Sequence, residues 1–291
     1  MNFTIAGKQY NAWGAVIYYC DRISESGYQL SGNYEDNFEV FNESSVENIF
    51  IIPMDKRSYT NQMQYLFRSL HYNHSQRLGM AGENGTSATI DALDIFDYGT
   101  KNEDPRFDKN YYAGVVYDLN NHVIKTDLGK ILEYLPREIK LDLSDSPHMK
   151  MAGARMKKYA IDKTNIKDGK LIDNDIVLFR YADVLLMKSE AKVRNGLNGD
   201  SELNEVRNRV GAASREATLE NILDERLLEL AWEGWRRQDM IRFDKYHKAY
   251  NQRPQLEKEF NRYTTVFPIP QRVLDLNTNL KQNDGYTKRT D

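Results

Sequence analysis

Three glutamates, Glu225, Glu229 and Glu233, stand four residues apart in the stretch Leu223 to Phe243. Paired carboxylates are the equipment of glycoside hydrolysis, one serving as acid and the other as base or nucleophile across an open cleft. That chemistry needs the two carboxyls roughly 5–10 Å apart on either side of a substrate, and one must keep its proton near neutral pH. On a helix, carboxylates at i and i+4 point the same way and repel by a few tenths of a kcal/mol. Arg226, Arg236 and Arg237 lie close in sequence, and Arg180, Arg207 and Arg209 fall on other expected helices. Guanidinium neighbours keep carboxylates ionised and deny either one the raised pKa of an acid. The spacing therefore reads as a packed helix clamped to its neighbours by Arg–carboxylate forks. Glu225, Arg226, Glu229, Glu233, Arg236, Arg180, Arg207 and Arg209 form its structural ion-pair network, and none of them is assigned a catalytic role.

A second concentration of chemistry is aromatic. Tyr59, Tyr65, Phe67, Arg68, His71, Tyr72, Asn73 and His74 make the densest mixture of rings and hydrogen-bonding groups in the chain. A sugar offers an apolar C–H face to a ring and hydroxyls to amides, carboxylates and guanidiniums. Tyr59, Tyr65, Arg68, His71, Tyr72, His74 and the nearby Asn84 are the candidate glycan-binding residues. Tyr65-Leu66-Phe67 with Leu70 could equally be an amphipathic helix burying its rings. His71-x-x-His74 has the helical spacing of a metal pair, but no third ligand is near and the Glu of a zinc hydrolase is missing, so no metal is expected, nor any cofactor. Asp104-Pro105-Arg106 reads as a turn with a local Asp–Arg bridge rather than as a catalytic acid.

Composition narrows the field. The 291 residues carry 40 basic and 43 acidic side chains, a net charge of −3 that gives no electrostatic case for nucleic acid or an anionic membrane. Nineteen tyrosines against 3 tryptophans suit flat polar ligands, although most single tyrosines serve cores or rims. Cys20 is the single cysteine, so no internal disulfide can form. No apolar run reaches the length of a membrane span, and the N-terminus lacks a secretory pattern.

The elements that must position these groups follow from periodicity. Lys8 to Ser26 reads as a helix with Ala12, Val16, Tyr19 and Ile23 on one stripe. Glu47 to Pro53 reads as a buried strand or extended segment, and Asp55 to Pro105 as polar, turn-rich chain of the kind that carries binding residues. Tyr111 to Tyr117 and His122 to Lys125 form an expected strand pair. Ile176 to Arg194 reads as one buried helix, Glu202 to Val210 as a second. The acidic helix is expected to start at an N-cap, Thr218, to bury Leu219, Ile222, Leu223, Leu227 and Leu230, and to end at Gly234. Helix is expected again from Arg236 to Tyr250, and extended chain before Pro268 and Pro270.

Several blocks resemble the SusD/RagB family of outer-membrane glycan-binding lipoproteins. They are Gly27-Tyr28-Gln29-Leu30, Asn48-Ile49-Phe50 with Ile52, Arg180 to Met187, Leu203 to Gly211, Glu225-Arg226 through Arg242, and Asn277 to Tyr286. Leu227, Trp235 and Gln238 depart from the usual pattern, as do Thr278 and Asp284 where the family has prolines. The resemblance implies a mainly α fold: the remnant of a tetratricopeptide-like helical scaffold with a long loop-rich insertion carrying short strands. Residues 1–32 would be the last helix of a truncated repeat region, and 33–291 the C-terminal region, with the insertion at about 53–160 and core helices at about 175–250. It implies non-catalytic capture of oligosaccharide or polysaccharide at the cell outer membrane and delivery to a TonB-dependent SusC-like transporter. Export signal and lipid anchor would then be missing from this chain, as expected of a gene fragment or split gene. A helical scaffold for protein–protein interaction without sugar binding, or a glycoside hydrolase, are the competing readings.

Overall fold

The computed structural model describes residues 1–58, 68–139, 149–251, 253–259 and 261–287. The architecture is mainly α, and it divides into two units, Met1–Arg236 and Arg237–Asp291. No helix among the described residues is long and apolar enough to cross a membrane.

The first unit opens with an antiparallel hairpin, β1 (Asn2–Ile5) and β2 (Lys8–Asn11), closed by Ala6 and Gly7 at φ 48° and 76°. Two consecutive positive φ values make the tight turn that matches strand twist. The helix expected from Lys8 therefore begins later, as α1 (Ala12–Ser24), where the Asn11 side chain accepts from Gly14 N at 2.7 Å. Its expected stripe is displaced: Ala15 and Cys20 are the buried residues, whereas Ala12 is exposed and Tyr19 is 56% exposed.

Strand β3 (Asn48–Ile52) pairs antiparallel with β8 (Ile176–Arg180), with Ile52 opposite Ile176 and Asn48 opposite Arg180. This corrects two readings. The single helix expected over 176–194 is a strand followed by α5 (Tyr181–Arg194), and β3 is only half-buried, with Phe50 56% exposed. A short continuous apolar run such as Ile-Val-Leu-Phe carries no period that separates strand from buried helix. Helix α5 packs on α1, on α6 (Asp200–Arg209) and on α7 (Leu219–Leu230).

Helix α7 starts as expected, with Thr218 Oγ1 accepting from Asn221 N at 3.1 Å, and buries Ile222, Leu223, Leu228 and Leu230. It ends at Leu230 rather than Gly234. Ala231 turns extended, and Trp232 sits at φ 66° with its indole N–H on Asn110 O at 3.0 Å. The Lys158 ammonium takes the freed Glu229 and Ala231 carbonyls at 3.0 and 2.9 Å, satisfying acceptors that any helix end leaves open. Glu233 thus lies in a turn beyond the helix.

The loop-rich part is held by small aromatic cores. Leu93, Phe96, Phe107 and Tyr111 pack against Leu228, and the Phe107 and Tyr111 rings stack at 5.2 Å. Four short strands tie it together: β4 (Tyr111–Tyr112) with β7 (Arg155–Met156), and β5 (Gly114–Val115) with β6 (Glu133–Tyr134). The expected pairing of Tyr111–Tyr117 with His122–Lys125 survives only at the tip, where Tyr117 bridges Val123. In the second unit, the helix expected to reach Tyr250 stops at Arg242, and the turn that follows places Asp244 at φ 61°. The tail folds back so that Tyr286 Oη donates to Val266 O at 2.9 Å.

Candidate functional site

Glu225 and Glu229 are fully buried. Arg106 Nη1 reaches Glu225 at 2.6 Å and Glu229 at 2.9 Å, while its other nitrogens hold Asp104 at 2.8 Å. Arg180 bonds Glu47 at 2.7 Å, Glu229 at 2.5 Å and Glu233 at 2.8 Å. Arg207 pairs with Glu225, Arg209 with Glu229 and Glu47, and Lys158 with Glu233. Among the described residues, five cations thus meet five carboxylates in one connected, balanced cluster. Arg226 is placed with Asp183 at 2.5 Å, and Arg236 donates to Leu223 O at 2.8 Å.

Electrostatics follows geometry. Burial alone would push the Glu229 carboxyl up, but Arg209, Arg180 and Arg106 hold it well below the usual carboxylate range. Glu233 is lowered in the same way against its burial by Arg180 and Lys158. Neither is a proton donor near neutral pH, and the Glu225 and Glu229 side chains are closed off from solvent. The ridge clamps the helices to the loop-rich part, which reaches it through Asp104, Arg106 and Lys158. Reasoning from sequence missed Glu47 and Lys158. It read Asp104 and Arg106 as a local bridge, which they also are.

The aromatic candidates lead elsewhere, to a hollow of about 280 Å³ in the first unit. Three segments build it: the start of helix α2 (Tyr72–Arg77) with His71 before it, the turn Thr126 to Lys130, and Lys150 with Met151. His71 is the N-cap, its Nδ1 accepting from Asn73 N at 3.1 Å. Its backbone N–H donates to Tyr134 Oη at 2.9 Å, and the same hydroxyl lies 3.0 Å from His74 Nδ1. Asn73 Nδ2 donates to Asp127 Oδ1 at 2.6 Å, tying helix to turn. With this anchoring, Tyr72 stands 51% exposed and Leu128 71% exposed at the edge of the hollow. Gly82 and Gly85 let the next loop run close behind, since a Cβ on either would come 2.6 Å from the carbonyl oxygen of Leu70 or Arg68.

The structure therefore brings His71 and Tyr72 together with Asn73, Asp127 and two lysines. His74 is wholly interior, packed against Tyr112 at 4.7 Å, and burial pulls its imidazole down to about 3. It cannot touch a surface ligand. Arg68 is exposed beside Glu83 at 3.4 Å, and Asn84, at φ 49°, donates its backbone N–H to Leu70 O at 2.9 Å; neither lines the hollow. Tyr59 and Tyr65, with the helix-or-loop alternative for Tyr65 to Phe67, lie outside the described residues. Asp127, Lys130, Lys150 and Met151 escaped notice because they come from segments 55 to 80 residues distant in sequence. Among the described residues no group of three His, Cys, Asp or Glu is placed to hold a metal ion. A second, more polar concavity of about 840 Å³ has Lys56 bonded across it to Asp162 at 3.1 Å and Asp173 at 2.7 Å.

Comparison with known proteins adds a family. The profile of the SusD family matches residues 46–286. The starch-binding protein SusD of Bacteroides thetaiotaomicron is 30% identical over 139 residues, covering 45% of this chain and 25% of that protein. A SusD-like protein of Formosa agariphila is 27% identical over an alignment of 319 positions, 94% of this chain and 55% of its own length. Among solved structures, surface glycan-binding protein A from Bacteroides thetaiotaomicron superposes with a TM-score of 0.66 at 24% identity, covering 94% of this chain and 59% of that one. The same protein in complex with laminarihexaose gives 0.63 at 23% identity, over 94% and 60%. This chain thus spans between a quarter and three fifths of the length of these relatives.

Proposed function

We propose that this chain, which belongs to the SusD family, binds oligosaccharide at the hollow beside Tyr72 and leaves its glycosidic bonds intact. In the whole protein, capture at the outer surface of the outer membrane would precede delivery to a TonB-dependent SusC-like transporter. The observation that carries the binding reading is an exposed tyrosine ring held on a rigid base next to an amide, a carboxylate and two ammonium groups. A pyranose needs that combination: a flat apolar surface for its C–H face, and donors and acceptors around the rim for its hydroxyls. The absence of chemistry is supported by the ridge, where Glu225 and Glu229 are sealed from solvent and guanidiniums hold Glu229 ionised. A retaining or inverting pair would need two accessible carboxyls, one of them protonated.

Calorimetric titration with plant, host and bacterial oligosaccharides tests the reading. Saturable heat from at least one glycan, with no new reducing ends after prolonged incubation, is the expected result. Silence across the panel would return the chain to a protein-interaction scaffold, and new reducing ends would make it a hydrolase.

A further inference from the structure

Taking the hollow beside Tyr72 as the sugar site proposed above, we infer that its ligand is an anionic oligosaccharide, carboxylated or sulfated, whose acidic group pairs with Lys130 and Lys150 while a sugar ring lies on Tyr72. The chain as a whole is acidic, at net charge −3, yet this hollow is locally basic. Its one carboxylate, Asp127, is engaged by Asn73 at 2.6 Å. Lys130 and Lys150 both line it, and among the described residues neither has an ion-pair partner.

A third positive charge sits behind the floor. Arg155 is only 2% exposed, and its guanidinium donates to the carbonyls of Ser69 at 3.1 Å, Lys150 at 3.2 Å and Ala152 at 2.8 Å. It faces the Tyr134 ring at 5.4 Å, and among the described residues no carboxylate reaches it; its Nε has no partner at all. A buried cation without a counter-charge is costly, and the surrounding protein screens its field far less than water would. That field already reaches the hollow: His71 is pulled below its ordinary range by burial and then by Arg155 and Lys150. Among the described residues, three cations against one hydrogen-bonded carboxylate make a potential that draws an acidic sugar and gives a neutral one no advantage. Tyr72, Leu128 and Met151 supply the apolar surface beside it.

Titration of the full chain with three probes of similar length tests this: an oligogalacturonate, a chondroitin sulfate oligosaccharide and laminarihexaose, each at about 0.02 and about 0.3 M salt, where screening differs strongly. At least one acidic probe is expected to bind, more tightly at the lower salt. Lys130→Ala and Lys150→Ala should each weaken it by about 2- to 5-fold, as for an exposed ion pair, and Lys130→Glu by more. Both lysines are exposed, so the variants keep the fold, which circular dichroism checks. Which acidic probe binds tells carboxylate from sulfate. If laminarihexaose binds as tightly and Tyr72→Ala abolishes that binding while the lysine variants do not alter it, the anionic assignment falls and the sugar site stands. Acidic-probe affinity indifferent to both lysines likewise overturns the assignment, and no heat from any sugar overturns both readings.

Discussion

Glu229→Gln removes one charge from the middle of the buried cluster while keeping the volume of the side chain. Glu229 is 0% exposed and accepts from Arg106 at 2.9 Å, from Arg180 at 2.5 Å and from Arg209. The amide leaves five cations facing four carboxylates and turns an N–H₂ group toward a guanidinium. Breaking a buried ionic network by deleting one partner costs about 3–5 kcal/mol, because the remaining charges stay desolvated and unpaired. Against a typical domain stability of about 5–15 kcal/mol, that is about a fifth or more. With each kcal/mol worth about 2–4 °C in a domain of this size, the melting temperature should fall by on the order of 10 °C. The pH dependence has a definite sign. Because the folded pKa is depressed, the carboxylate contributes fully above the unfolded range near about 4.3, and the contribution is lost as pH falls from there toward the folded value. Thermal melts followed by circular dichroism from pH 8 to pH 3 should give a constant gap between wild type and variant down to about pH 5, closing below about pH 4. A variant melting within about a degree of wild type, or a gap already gone at pH 6, would refute the clamp.

Tyr72→Ala should weaken sugar binding by about 1–3 kcal/mol without lowering the melting temperature, since the ring is 51% exposed; calorimetry and a melt read both, and unchanged affinity discards the stacking role. His74, held near 3 against an ordinary 6.5, is neutral in the fold and protonates readily once unfolded. Stability should therefore fall as pH drops through that window, by about 2 kcal/mol at pH 5, and His74→Gln should remove that slope in chemical denaturation; a slope unchanged in the variant assigns it elsewhere. Gly82→Ala would bring a Cβ to 2.5 Å from Ser75 Oγ and 2.6 Å from Leu70 O. Since one contact is backbone, a loss of about 1–3 kcal/mol is expected in denaturant melts, and a neutral outcome would mean that the loop behind the hollow yields freely.

What the sequence disclosed was mostly local. Thr218 announced the acidic helix because a cap hydroxyl and its amide lie three residues apart, and Asp104 with Arg106 announced a bridge for the same reason. The stop at Leu230 was not visible, because Lys158, 71 and 73 residues away, supplies the partner that makes an early ending affordable. Arg180 was expected inside a helix, yet it ends a strand, from which it reaches Glu47, Glu229 and Glu233 together. The Ala6-Gly7 turn was readable in principle, but the helical spacing beyond it hid the short Lys8–Asn11 strand. For the hollow, the aromatic density around Tyr72 coincides with one of its walls and could not name the others. The turn at Thr126 to Lys130 and the residues Lys150 and Met151 are drawn in by Asn73 and Arg155, contacts that no local pattern encodes.

Amide hydrogen exchange of the full chain, with and without a glycan that gives calorimetric heat, separates recognition at the hollow from recognition at the acidic ridge. Slowed exchange on glycan addition should gather at 71–75, 126–130 and 149–152, with Leu219 to Glu233 unaltered. Protection confined to the ridge helix, with those three segments indifferent to sugar, would contradict the assignment of binding to the loops and of clamping to the glutamates.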